Sequence, residues 1–337
     1  MNQTARVLNA IENLYDKHLV YPSREERDAA VVWTAASWVA ESFDNFPRLY
    51  FRAAEYGAGK SVAAEAVGRL TREFHDLVGA TPSVVYRLIE NSEKKPVVFI
   101  DEADNVFGTA GSSSSHQELL AVLNKGFHRQ GKVYRSRGQD DVKEFRCFAP
   151  MILAGKGILP KALMTRSVTV SMRKPTPGET YVPYRHRVHA PFFDGVRKAL
   201  DDWSGAVGSR LGASFPEMPD AIKDRDRDVW EPLVAVADLA DGSEWGERIR
   251  KAAVILSSRE DIKEAVPAGT QLVKTLARMF RDSDRVAQSQ VAEELGWTTR
   301  DVGKLAREME LHPVSVSVNG SIAKGFKKEH YEELFNV

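Results

Sequence analysis

Cysteine is almost absent from this 337-residue chain, Cys147 being the only one. An intramolecular disulfide is therefore excluded, and a structural zinc site built on cysteines has no basis. Excess charge of either sign is also lacking, since 47 Lys and Arg face 47 Asp and Glu for a formal charge of zero. That balance removes global attraction to a polyanion, so any contact with nucleic acid must come from local patches. No apolar run approaches the roughly 18 residues that cross a bilayer, and no secretory leader opens the chain. The expectation is a soluble, cytoplasmic protein without a membrane partner. Apolar residues, by contrast, are plentiful: they make up 43% of the chain, enough for a real core over a length that calls for two or three compact units.

The residues Ala53-Ala54-Glu55-Tyr56-Gly57-Ala58-Gly59-Lys60-Ser61 follow the apolar run Leu49-Tyr50-Phe51 and precede Val62-Ala63-Ala64-Glu65-Ala66-Val67. A strand that turns into a helix across a glycine-rich loop is the setting a phosphate-binding loop requires. Gly57 and Gly59 let backbone N–H groups close around phosphate oxygens at the helix N-terminus, where peptide dipoles favour an anion. Ala58 and Val62 complete the expected nucleotide-binding set. Lys60 would reach the β- and γ-phosphates, and Ser61 would bind Mg²⁺. Ala54 stands where the usual spacing has a glycine, a mild departure. The alternative is a chance Gly-Lys-Ser in an ordinary connection, and the sequence downstream weighs against it. Val97-Val98-Phe99-Ile100 ends in Asp101-Glu102, which reads as a buried strand delivering Asp101 to the metal and Glu102 to the attacking water. ATP and Mg²⁺ are the expected cofactors.

Two helices are expected before the first strand, over residues 4–17 and 24–43, with Ser23 as an N-cap candidate. Trp33 and Trp38 on the second fit packing against a sheet better than a stacking surface. Beyond the phosphate loop the periodicity of Val67, Leu70, Phe74 and Leu77 predicts one helix over 61–78. Thr81-Pro82 has an N-cap and N1 signature for a second, short helix. The run from Gly108 to Ser115 is too polar to order itself, and reads either as a mobile sensing loop or as a solvated linker. After a helix over 118–128, Lys132-Val133-Tyr134-Arg135-Ser136-Arg137 and Val142-Lys143-Glu144-Phe145-Arg146-Cys147-Phe148 look like a hairpin. From Lys125 to Phe148 there are seven Lys or Arg against three Asp or Glu. That excess, with Lys132, Arg135, Arg137 and Lys143 at its centre, suits contact with a phosphate backbone, although solvated strand edges are also charged. Further strands are expected at 150–154 and 167–172. Arg166, fixed between a short helix and the last strand, can point away from its own nucleotide and complete a neighbour's site in a ring, or be a plain surface arginine.

With these residues in place the chain resembles an AAA+ ATPase, an α/β P-loop NTPase core with a parallel sheet. The resemblance rests on Gly57-Ala58-Gly59-Lys60-Ser61, Asp101-Glu102-Ala103-Asp104, the basic hairpin, and Ala162-Leu163-Met164-Thr165-Arg166-Ser167. More narrowly it resembles a branch found in phage and actinobacterial replication modules, sometimes fused to primases, through Tyr21-Pro22, Trp33-Thr34-Ala35-Ala36, Tyr86-Arg87-Leu88-Ile89-Glu90 and Trp230-Glu231-Pro232-Leu233. The resemblance implies a hexameric ring, catalytic roles for Lys60, Glu102 and Arg166, and a hairpin directed into a central channel. It places Lys156 near the first sensor, and Arg225, or Arg227 beside it, as a lid arginine on the γ-phosphate.

The expected organisation is N-terminal helices packed on the core over 1–47, the ATPase core over 48–175, a helical lid over 176–266, and a final domain over 267–337. In the last, three helices followed by Val314-Ser315-Val316-Ser317-Val318, Asn319-Gly320 and a second strand spell a winged helix. Arg300, Lys304 and Arg307 on its third helix and Lys324 on its wing are the expected DNA contacts, although such domains also dock proteins. The functional expectation is an ATP-driven ring motor on DNA, a helicase or translocase in phage or mobile-element replication. The alternatives are a loader or remodeller of another replication protein, and a nucleotide-dependent assembly switch.

Overall fold

A computed structural model describes residues 2–107, 114–136, 141–213, 215–259, 268–318 and 321–331. The chain divides into two compact units, Met1–Lys263 and Glu264–Val337. The first is built on a five-stranded sheet of β1 (Arg48–Arg52), β2 (Phe74–Asp76), β3 (Val97–Ile100), β6 (Met151–Gly155) and β7 (Ser167–Ser171). All neighbouring strands run parallel, in the order β2-β3-β6-β1-β7. Between β3 and β6 the chain leaves the sheet and forms a separate antiparallel hairpin, β4 (Lys132–Ser136) with β5 (Val142–Arg146).

Alternation along the strands divides the unit into two cores, because successive side chains of a strand point to opposite faces. Leu49, Phe51, Val97, Phe99, Ile152 and Ala154 face one core, and Tyr50, Val98, Ile100, Met151 and Leu153 face the other. Burial on both faces is what parallel strands require, and it explains their near-continuous apolar runs. The first core packs α1 (Gln3–His18), α2 (Arg24–Ser37), α3 (Lys60–Arg69), α8 (His186–Leu211), α9 (Asp224–Asp238) and α10 (Trp245–Ser257). The second packs α4 (Pro82–Asn91), α5 (Ala103–Phe107), α6 (Ser114–Lys125), α7 (Lys161–Met164) and the root of the hairpin.

Local signals set several of these elements. Ser23 caps α2 by accepting from Glu26 N at 3.3 Å, and Thr81 caps α4 by accepting from Val84 N at 3.4 Å. Trp33 and Trp38 are packed, their indole nitrogens donating to the carbonyls of Pro47 and Leu70. The N-terminal helices and the helices after β7 form one layer. Trp203 donates to Thr4 Oγ1 at 2.9 Å, Trp245 donates to Asn9 Oδ1 at 2.8 Å, and Arg248 pairs with both Glu12 and Asp28.

The helix expected over 61–78 is shorter, and its end is a correction. It stops at Arg69, and Phe74–Asp76 becomes the edge strand β2. Gly68 makes the reversal possible, since a Cβ there would lie 2.3 Å from the Phe74 ring. Phe74 then stacks on Phe99 of β3 at 6.0 Å between centroids.

Arg48 is fully buried at the start of β1. It donates to the carbonyls of Ala149 at 2.7 Å and Leu123 at 2.5 Å, tying the end of α6 to the chain that returns from the hairpin. Burial pulls its basicity down, and no carboxylate answers it among the described residues. Arg48→Ala removes both bonds and leaves two buried carbonyls unpaired beside a cavity. The expected cost is about 3–5 kcal/mol, measured by urea unfolding followed through tryptophan fluorescence.

The second unit holds α11 (Ala268–Met279), β8 (Arg285–Ala287), α12 (Gln288–Leu295), α13 (Thr299–Glu308), β9 (Val314–Val318) and β10 (Ser321–Lys327). The three strands form an antiparallel sheet in the order β8-β10-β9, and β8 has no counterpart in the sequence expectation. Leu272, Leu276, Phe280, Val291, Val302, Ala306 and Phe326 close its core. Thr298 caps α13 by accepting from Asp301 N at 3.2 Å. The expected Asn319-Gly320 turn lies outside the described residues.

Candidate nucleotide site

β1 ends at Arg52, and the loop after it returns to the sheet as α3, which begins at Lys60. Gly57 and Gly59 have φ of +74° and +82°, a region that an L side chain enters only under strain. With those two residues turned, the loop wraps one side of a cavity of about 340 Å³. Tyr56 to Val62 line it on that side, and Asp101, Glu102, Asp104, Gly155 and Lys156 line the other. Gly57, Ala58, Gly59, Lys60, Ser61 and Val62 are thus brought together with the tip of β3.

A direct bond joins the two sides, Ser61 Oγ donating to Asp101 Oδ2 at 2.8 Å. The other carboxylate oxygen, Oδ1, accepts from Glu102 N at 2.8 Å. Glu102 sits at φ +51°, left-handed backbone for a residue with a Cβ. Asp104 Oδ1 accepts from Lys156 N at 2.9 Å, which ties the end of β6 to the start of α5. The Lys156 ammonium lies 3.3 Å from the centroid of the Tyr56 ring. Gly155 is required here, because a Cβ would stand 2.5 Å from Asp104 Oδ1.

Asp76 is a residue the sequence reading missed. Its carboxyl is pushed upward by partial burial first, and then by the charges of Glu65 and Asp101. Within the cavity itself Asp104 adds a carboxylate to the two predicted ones. The hydroxyl and carboxylate of Ser61 and Asp101 fit Mg²⁺, which keeps several waters and needs only one or two protein oxygens beside phosphate. A cage of three or more His, Cys, Asp or Glu does not occur among the described residues.

Arg166 lies elsewhere. Ser167 pairs with Arg48 at the start of β1, so Arg166 is at the opposite end of the strands from the phosphate loop. Its Nη1 donates to Ala162 O at 2.7 Å, while its Nε is buried without a partner among the described residues. Burial lowers its basicity and the charge of Arg225 lowers it further, with Asp228 opposing. Arg225, expected as a lid arginine, is not among the residues that line the cavity. It follows Asp224, the first residue of α9, and its charge is felt by Arg166 and by His128. No residue of α8, α9 or α10 lines the cavity.

The predicted cations of the hairpin divide between its faces. Lys132 pairs with Glu144 at 2.7 Å on one face, while Arg135 and Lys143 stand directly opposite each other on the other. Arg137 lies outside the described residues. In the second unit Arg300, Lys304 and Arg307 recur at helical spacing on α13, with Arg300 and Arg307 exposed and Lys304 half-buried. Lys324 is exposed on β10.

Comparison with known proteins adds similarity but little function. A family model described as "Protein of unknown function (DUF3631)" matches residues 171–336. A Saccharopolyspora erythraea protein described as "Uncharacterized 28.9 kDa protein in xis 5'region" is 31% identical over 48% of this chain and 65% of its own length. The chain thus spans less than two thirds of that relative. Solved structures that overlay on the chain include a Thermotoga maritima RuvB variant, at 14% identity and a TM-score of 0.30 over 94% of this chain and 96% of that one. The JCV helicase overlays at 11% identity and 0.31 over 81% and 64%. The C-terminal region of NrS-1 does so at 11% and 0.34 over 97% and 75%. Overlaps this loose carry no argument, and the reading of the site rests on the chain's own geometry. No described helix is long and apolar enough to cross a membrane.

Proposed function

We propose that this chain is an AAA+ ATPase that works as a ring-forming motor on DNA, as a helicase or translocase. The observation that carries the ATPase reading is the Ser61–Asp101 bond, which joins a glycine-turned loop to the tip of the acidic strand β3 across one cavity. ATP would lie in that cavity with its phosphates on the backbone N–H groups of residues 57–62 and on Lys60. Mg²⁺, held by Ser61 and Asp101, would supply charge neutralisation between the phosphates. Glu102 would orient and deprotonate the attacking water.

The strand order, with a hairpin inserted between β3 and β6, supports the narrower family reading. So does Arg166, set at the other end of the strands from its own loop and suited to the nucleotide of an adjacent copy. The hexameric state, the replication role in a phage or mobile element, and the winged-helix reading of the second unit are proposed on the resemblance. The three-helix and three-strand arrangement supports the last of these, with Arg300, Lys304, Arg307 and Lys324 on DNA. Residues 176–266 are proposed as the lid, whose helices α8, α9 and α10 pack in one core with α1 and α2.

The test is to measure particle mass by light scattering and ATP hydrolysis, each with and without single-stranded DNA. Assembly with ATP and hydrolysis raised by DNA are expected. A chain that stays monomeric at saturating ATP and DNA while turning over fully would end the motor reading. Hydrolysis indifferent to DNA would point to a loader or an assembly switch.

A further inference from the structure

The hairpin face that carries Arg135 and Lys143 does not project freely. It turns toward α4, and between them lies a half-open cleft of about 360 Å³, lined by Arg87, Asn91, Arg135, Ser136, Lys143 and Phe145. Two elements far apart in sequence therefore contribute cations to one concavity.

Arg135 and Lys143 are direct cross-strand neighbours. Like charges in that position repel, and Arg87 adds a third cation from α4. Among the described residues, Glu118, which pairs with Arg135, is the one carboxylate in an ion pair with any of them. The nearby Glu90 is engaged elsewhere, accepting from Arg146 N at 2.9 Å. Arg135 is held in place, its guanidinium 5.2 Å from the centroid of Tyr86, yet its Nε is buried with no acceptor among the described residues. Lys143 is steadied over the Phe145 ring at 4.7 Å. Cations fixed at mutual cost around an open cleft are what an anion would relieve.

We propose that this cleft binds the phosphodiester backbone of a single nucleic-acid strand, with Arg87 as a contact that the hairpin alone would not supply. The proposal rests on the motor reading and deepens it. Phe145 and Tyr86 are packed in the core at 7% and 4% exposure, and the exposed Tyr134 stands on the other face of the hairpin, so within the cleft no aromatic face is offered to a base. Recognition is of the backbone, independent of sequence, and follows the cleft from α4 to the hairpin.

Binding of a fluorescent oligothymidylate by the full chain, measured by anisotropy across a salt series, tests this. Arg87→Ala and Lys143→Ala are each expected to weaken binding about fivefold or more, and to lower the salt slope by ~0.7. Arg210→Ala, an exposed cation on α8, should leave both unchanged, and thermal melting checks that each variant is folded. If the oligonucleotide binds but neither cleft variant changes affinity or slope, the cleft is not the site, although the motor reading survives. An equal loss in Arg210→Ala would reduce the effect to general charge attraction and overturn the proposal. So would inorganic phosphate or thymidine monophosphate competing as well as the oligonucleotide. Failure of any oligonucleotide to bind would remove the motor reading beneath it.

Discussion

Arg166→Ala is expected to lower ATP hydrolysis by about 10³-fold or more, the range of an arginine finger supplied from a neighbour, with the affinity for ATP in each chain's own cavity unchanged to within about twofold. The second half of that expectation comes from position. β1 is five residues long, so the end that holds Arg166 and the end that holds the phosphate loop are about 15 Å apart. Its guanidinium cannot cover that distance within one chain. Mixing Arg166→Ala with Lys60→Ala should therefore restore hydrolysis, because an intact loop from one chain meets an intact arginine from the other. Recovery is read as turnover above the sum of the two separate variants. If Arg166→Ala hydrolyses normally, the finger assignment is wrong. If both variants are dead and no mixture recovers, Arg166 acts within its own chain and sharing between copies fails. Arg225 stands close enough to depress the basicity of Arg166, so Arg225→Ala tests whether two cations or one serve that end. A fall in turnover with unchanged ATP affinity would place it with Arg166.

What the sequence made legible follows from how local each determinant is. Gly57 and Gly59 are demanded by backbone conformation at their own positions, and the four-residue apolar run before Asp101 needs only burial on both faces of a parallel sheet. Both were readable without knowledge of the fold. β2 was not, because Phe74 and Leu77 are spaced as on a helix, and what makes a strand of Phe74–Asp76 is a ring packed on Gly68 and Phe99. Asp76 was lost with it. Which arginine of α9, Arg225 or Arg227, would serve a nucleotide depends on how α9 packs, for which residues 220–230 carry no local signal. The hairpin lies between these cases. Its charge excess was visible, but which cations are paired depends on register. With Lys132 opposite Arg146 and Tyr134 opposite Glu144, Lys132 meets Glu144 diagonally on one face. Arg135 and Lys143 are left together on the other.

Glu102 offers the sharpest separation of chemistry from folding. Glu102→Gln keeps the length and shape of the side chain and removes only its capacity to take a proton from water. Turnover should fall by about 10²–10⁴-fold, with ATP still bound. Preserved turnover would exclude Glu102 as the base. Glu102→Gly removes the same carboxylate and is expected to be as inactive. At φ +51° a residue with a Cβ pays about 1–2 kcal/mol that glycine does not. Against that, glycine loses about 0.5–1 kcal/mol more chain entropy on folding, together with the interactions of the Glu102 side chain. The backbone bond from residue 102 N to Asp101 Oδ1 survives the substitution. Relief of strain should offset these losses, so the urea midpoint of the unit that contains β3 is expected to move by no more than about 1 kcal/mol in equivalent stability. Lost turnover with a preserved midpoint would mark Glu102 as a residue kept for chemistry and not for folding. A midpoint that falls well beyond that would mean that the Glu102 side chain holds the fold, and its backbone conformation would then carry no functional meaning.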